Sequence, residues 1–273
     1  MKKIIALTIF GLFVLTSISF AGSNVKGAVI NKSNVKDAAN IAIGQDNKAN
    51  MGSVKIKNSS VKGAVINQSN VKNAANIAIG QSNKANMGTV NIEQSAVKGA
   101  VINKSNVKDA ANIAIGQGNK ANMGSVNIEK SAIRGAVINQ SNVKNAANIA
   151  IGQGNKANMG SVNIEQSAVK GAVINQSNVK DSANIAIGQG NKANMGSVNI
   201  EQSAVKGAVI NKSNVKNAAN IAIGQGNTAN MGSVNINNSA VKGAVINQSN
   251  VKDAANIAIG QGNTANMGSV EIE

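Results

Sequence analysis

The side chains able to do chemistry in this chain are amides and ammonium groups, and they return at a fixed spacing of 36 residues. Asn112, Asn119 and Asn122 share their phase with Asn40, Asn47 and Asn50 earlier in the chain, and with Asn256, Asn263 and Asn266 later. Gln117 belongs to a like series running from Gln45 to Gln261. Amides stacked in register hydrogen-bond along the stacking axis, each serving the neighbours above and below. Such chemistry holds a structure together; it does not make or break bonds. The groups that do so are missing. There is no His and no Cys, so the usual general bases, thiolate nucleophiles and soft metal ligands are absent. Ser and Lys occur as repeating series rather than as one constellation. No Asp-x-Asp calcium loop is present. The Gly116-Gln117-Gly118-Asn119 corner is not followed by a helical pattern, so it does not read as a phosphate cradle. The expectation is a non-enzyme without metal or cofactor.

What positions these amides is a tandem array. The marker Gly-Ala-Val-Ile-Asn begins at Gly27, Gly63, Gly99, Gly135, Gly171, Gly207 and Gly243. Gly22 to Glu273 is seven copies of 36 residues. Nearly every residue recurs in every copy, which suits a pile of similar layers better than a unique cleft.

The third copy, 95–130, shows how one layer is built. Three apolar runs recur in it: Ala100-Val101-Ile102, Ile113-Ala114-Ile115 and Val126-Asn127-Ile128. Period two places Ile113 with Ile115, and Val126 with Ile128, on single strand faces. Turn residues separate the runs, at Lys98-Gly99, Lys104-Ser105-Asn106, Gly116 to Asn119, and Met123-Gly124-Ser125. Gly and Asn interrupt every window long enough to nucleate a helix. Each repeat therefore reads as about three short strands joined by corners. One repeat cannot bury its own apolar face, but an identical neighbour about 4.8 Å along the axis covers it. Folding the repeat in half gives a poor match, with Lys98 on Gly116 and Val107 on Ser125. The expected fold is all-β: a β-solenoid, or stacked cross-β arcs, of seven 36-residue units. Whether a unit forms one rung or two unequal arcs stays open at this stage.

Residues 1–21 read as a secretion signal. Lys2 and Lys3 precede an apolar run, and Ser19-Phe20-Ala21 forms a small-x-small cleavage site before Gly22. The remaining 22–273 is one repeat domain with no segment apolar enough to span a bilayer. All three Phe lie in the leader (Phe10, Phe13 and Phe20), so the core must be made from Ile, Val, Ala and Met. Disulfides are excluded as staples.

The net charge of +16 falls to +14 without Lys2 and Lys3. Lys98, Arg134 and Lys170 share one basic phase, and Lys108 and Lys144 another. Like charges at layer spacing repel by roughly 1 kcal/mol per pair in water, so these columns must face solvent. There they serve solubility, or hold an anionic partner such as extracellular DNA or polysaccharide. No aromatic side chain is interleaved with them, so nucleic-acid binding would be unspecific. At another phase Asp37, Asp109, Asp181 and Asp253 alternate with Asn73, Asn145 and Asn217, which dilutes charge along that column.

The segment Asn112-Ile-Ala-Ile-Gly-Gln-Gly-Asn119-Lys-Ala-Asn122 resembles the repeat core of Fap-type bacterial amyloid subunits. Gln68 and Asn73, with Lys104 at the phase of Gln68, are more faintly similar to curli repeats. Ile113 to Gly116 also looks like the head repeats of trimeric autotransporter adhesins. The first resemblance implies export through an outer-membrane pore, a nucleating partner, stacked β-arcs and a place in a biofilm. The resulting expectation is a secreted structural protein that polymerises end to end. Its self-assembly ladder would comprise Asn112, Asn119, Asn122, Gln117, Ile113, Ile115, Val126 and Ile128. The alternative is a β-solenoid adhesin that binds anionic polymers or surfaces.

Overall fold

The structure is a computed structural model that describes residues 18–45, 48–81, 84–117, 120–153, 156–189, 192–225, 228–261 and 264–272. Among them there is no helix; strands and tight corners account for the chain. The fold is a β-solenoid. Among the described residues every strand pair is parallel, and every partner lies 36 residues away, as in Val101↔Val137 and Val101↔Val65. One repeat is thus one rung, which resolves the question of one turn or two arcs.

In the third rung the strands are Ala96–Val97, Val101–Gln117, Lys120–Met123 and Val126–Glu129. Stacking turns each into one strand of a sheet that runs along the axis. The first and second apolar runs, expected to be separate strands, belong to one strand of 17 residues. Lys104-Ser105-Asn106 is part of that strand and not a turn. Its period is two: Val101, Asn103, Ser105 and Val107 are buried, while Ile102, Lys104, Asn106 and Lys108 face outward. Asp109 then takes a left-handed conformation, φ 51°. The kink resets the alternation, so Ala110, Asn112 and Ala114 point inward after it. Asn and Asp tolerate this region better than other residues with a Cβ, and the seven positions at this phase are Asp or Asn throughout.

The core forms three apolar clusters along the axis. Val97, Val101, Val126 and Ile128 fill one with their copies. Val107, Ala110 and Met123 fill the second. In the third, Ala114 meets Ala121, and the two walls are held apart only by methyl groups. Val126 and Ile128 share one face, as the sequence implied, and that face is the inner one. Two other expectations are corrected. Met123 is not a turn residue but a fully buried core side chain, and the corner is made by Gly124, φ 60°. Ile113 and Ile115 do share a face, but it is the outer one; Ala114 between them is buried. With Ala121 opposite, the gap is too narrow to accept isoleucine.

Stacking also explains the glycine of the marker. A Cβ on Gly99 would lie 2.6 Å from the carbonyl carbon of Gly63 in the rung below. No side chain fits between rungs there, so the position stays glycine in every copy.

Candidate assembly surfaces and polar ladders

Several amide ladders run along the solenoid, among them three built on Asn112, Asn103 and Asn122. The Asn112 side chain is buried, and its Nδ2 donates to Asn148 Oδ1 at 2.8 Å, to Ala85 O at 2.9 Å and to Asn122 O at 3.0 Å. Its Oδ1 accepts from Asn76 at 2.8 Å. The column therefore ties successive rungs together and also satisfies backbone carbonyls of the opposite wall. The second ladder is buried too: Asn67 donates to Asn103 at 2.9 Å, and Asn103 to Asn139 at 3.0 Å. The third lies on the outer side of the Lys120–Met123 strip, where Asn122 donates to Asn86 and Asn158 to Asn122, each at 2.8 Å.

The Asn103 ladder lies beside Lys104-Ser105-Asn106, which the sequence marks as a turn and the structure as strand. The period-two run Val101, Asn103, Ser105, Val107 was the available signal. Of the other expected ladder residues, Asn119 lies outside the described residues, as does the Gln117 side chain. The Gln117 backbone pairs in register with Gln81 and Gln153. Gln225 and Gln261 are exposed.

The bend at Gly124 turns the outer faces of the Lys120–Met123 and Val126–Glu129 strips toward each other. Between them runs a seam lined by Lys120, Asn122, Asn127, Glu129 and their copies, enclosing about 240 Å³. Asn127 donates to Asn91 at 3.0 Å, and Asn158 reaches Asn127 at 3.4 Å. The mouth is closed by ion pairs: Lys120 to Glu129 at 3.1 Å, with Lys84–Glu93, Lys156–Glu165 and Lys192–Glu201 at the same phase. Burial alone would raise the Glu93 pKa, but the Lys84 hydrogen bond and the Lys84, Lys55 and Lys57 charges bring it down to about 2. Glu165 is likewise pushed up by burial and, on balance, held low by Lys156. Spacing hides these pairs in the sequence, because the partners lie nine residues apart across a corner.

The basic columns differ in exposure. Lys98, Arg134 and Lys170 are exposed, as are Lys26, Lys62, Lys206 and Lys242 at the same phase. Lys108 and Lys144 are half-buried on the outer face of the long strand, their stems lying along the wall. The same outer wall carries Ile113 and Ile115, the latter 36% exposed.

The end rungs expose what the middle hides, with Met267, Val270 and Ile272 all open to solvent. At the opposite end, Ile18–Ala21 pairs in parallel with Val54–Lys57. Residues expected to belong to a cleaved leader thus form a strand on the first rung. Among the described residues, no cluster of three or more His, Cys, Asp or Glu could hold a metal, and no helix is long and apolar enough to cross a membrane.

In comparisons with protein families, curated proteins and solved structures, the chain matches none.

Proposed function

We propose that this chain is a secreted structural protein that polymerises end to end into an extracellular, amyloid-like fibre of the cell surface or biofilm matrix. The observation that carries this reading is the unbroken 36-residue register. The face each rung presents is the face each rung accepts, so one copy offers another the surface on which its own rungs stack. Exposed apolar side chains at the last rung, which no further rung covers among the described residues, favour such a heterologous contact, and a contact of that kind propagates. Buried amide ladders of the kind seen in cross-β stacks add hydrogen bonds along the growth axis. Export, a pore and a nucleator belong to this proposal through the resemblance of the repeat core to Fap-type subunits.

The test is direct. The chain from Gly22 onward, incubated near neutral pH, is expected to form filaments with an axial reflection at about 4.8 Å and to bind thioflavin. A monomer that persists by light scattering at every concentration refutes the proposal.

A second reading has its own support in the exposed column from Lys26 to Lys242. It holds that the solenoid is an adhesin whose basic edge binds anionic polymers. Binding of duplex DNA or an acidic polysaccharide by non-assembling monomer, weakening steeply with salt, would favour it.

A further inference from the structure

The strip that contains Val126–Glu129 has the same inward residues in every rung, but its outward residues change from one end to the other. In rungs two to five they are Asn and Glu, as in Asn91/Glu93 and Asn127/Glu129; in the sixth they are Asn235 and Asn237. The first rung alone carries two cations there, Lys55 and Lys57. The seventh alone carries Glu271, and Glu273 stands two residues on in the sequence. Val54-Lys-Ile-Lys57 and Val270-Glu-Ile-Glu273 are therefore the same stretch of the repeat sequence with opposite charges. They also border the two ends of one sheet, in which Val54–Lys57 and Val270–Ile272 are the first and last rungs of the array.

Two further observations bear on what these edges receive. The outer edge of Val54–Lys57 is shown to accept a strand: Ile18–Ala21 lies on it in parallel, with Ser19 opposite Lys55 and Ala21 opposite Lys57. The other side of the same strand shows how lysine and glutamate meet at this phase. Glu93 stands opposite Lys57 in the register, and its Oε2 lies 3.8 Å from Lys55 Nζ.

We propose that a second copy of this chain occupies that edge, its last strand replacing Ile18–Ala21, so that Glu271 is set over Lys55 and Glu273 over Lys57. This deepens the end-to-end reading and rests on it. The 36-residue register fixes the match, since it carries Val270 onto Val54 and Ile272 onto Ile56. Charge then fixes polarity: a head meets a tail, whereas two heads oppose four lysines. It also makes the leader strand a cover. While residues 18–21 remain, the receiving edge is filled; their removal opens it. Three like-charged contacts go the other way, because the same stacking brings Lys242 beside Lys26, Lys252 beside Lys36, and Asp253 beside Asp37, all of them exposed. The two lysine pairs recur at every internal interface, as Lys36 meets Lys72, so what the junction adds is two opposite pairs against one solvated Asp–Asp contact.

Charge exchange tests the junction. In the chain from Gly22, K55E/K57E gives an acidic head on an acidic tail, and E271K/E273K gives a basic tail on a basic head. Each variant alone is expected to extend seeds about tenfold more slowly than the parent at low salt. An equimolar mixture is expected to regain the parent rate, because each acidic end then finds a basic one. Circular dichroism of the monomers checks that both fold, and E271K/E273K leaves the internal Lys55–Glu93 contact untouched. Variants that elongate like the parent, or a mixture no faster than its components, overturn the junction while leaving end-to-end growth standing. A parent that does not elongate overturns both. Full-length chain retaining residues 18–21 is expected not to propagate from seeds; growth at the parent rate would refute the covering role.

Discussion

The third and seventh rungs are written in nearly the same letters and live in different surroundings. Met123 is 0% exposed and Met267 45%; Ile128 is 1% exposed and Ile272 64%. Asn112 is fully buried, and Asn256, at the same phase, is only half so. Burial here is a property of position in the stack and not of the repeat itself. A rung becomes stable when covered on both sides, so cohesion grows with the number of internal interfaces, and an outer rung is the place where cohesion can still be gained.

Substitutions made in pairs, one in the middle and one at an end, break or sharpen that contrast. The largest effect is expected at the marker glycine. Gly99→Val drives a side chain into the backbone of the rung below and should cost about 3 kcal/mol or more, read as a lost or strongly lowered melting transition. A Cβ on Gly27 meets nothing within 4 Å. Gly27→Val should therefore leave the monomer's melting unchanged yet abolish fibre elongation, because a second copy would meet that side chain as Gly63 meets Gly99.

Next comes the core. Met123→Ala should destabilise by about 2–4 kcal/mol, whereas Met267→Ala should cost less than about 1 kcal/mol, since its side chain is already half in water. Denaturant midpoints of the two variants measure the difference.

The buried ladder follows. Asn112→Leu strips donors from Ala85 O, Asn122 O and Asn148 Oδ1, and should cost about 2–3 kcal/mol in chemical denaturation. At Asn256, water reaches the freed partners, and the loss should stay below about 1 kcal/mol. Equal losses at both sites would contradict the role given to burial.

The smallest effect is electrostatic. The Glu93 carboxyl titrates at about 2 in the folded chain, against 4.5 ordinarily. The folded state therefore binds fewer protons than the unfolded one, and the ion pair contributes stability above about pH 4.5 that is lost as pH falls toward 2. Lys84→Gln should flatten this part of the pH–stability curve by about 1 kcal/mol, because the Lys55 and Lys57 charges still hold the carboxyl low. The sixth rung has Thr228 and Asn237 at these places, so Thr228→Gln should leave the curve as it was.

The solenoid, its 36-residue unit and the shared face of Val126 and Ile128 were legible because period and apolar spacing are properties of the string. The Asn112 ladder was legible too, as an amide beside a strand-like run. The inversion at Asp109 was not. Period-two reasoning assigns faces within one strand, and a single left-handed residue shifts the alternation by one place. The isoleucines then fall outside and the alanines inside, against hydrophobic order, because the facing wall at Ala121 leaves no room. The Lys120–Glu129 seam was equally hidden, since it depends on two outer faces folding toward one another at Gly124.

The left-handed corner has a consequence for how such a protein can change size. Asn73 donates to Asp37, Asn145 to Asp109 and Asn217 to Asp181, at 2.9–3.0 Å. Carboxylate and amide thus take turns, and each carboxylate has a neutral neighbour. Excising one internal repeat would set two of the same kind side by side; excising two would keep the order. A coding tract that lengthens or shortens by recombination between its own copies therefore resizes this protein most smoothly in double steps, each about 10 Å of rod.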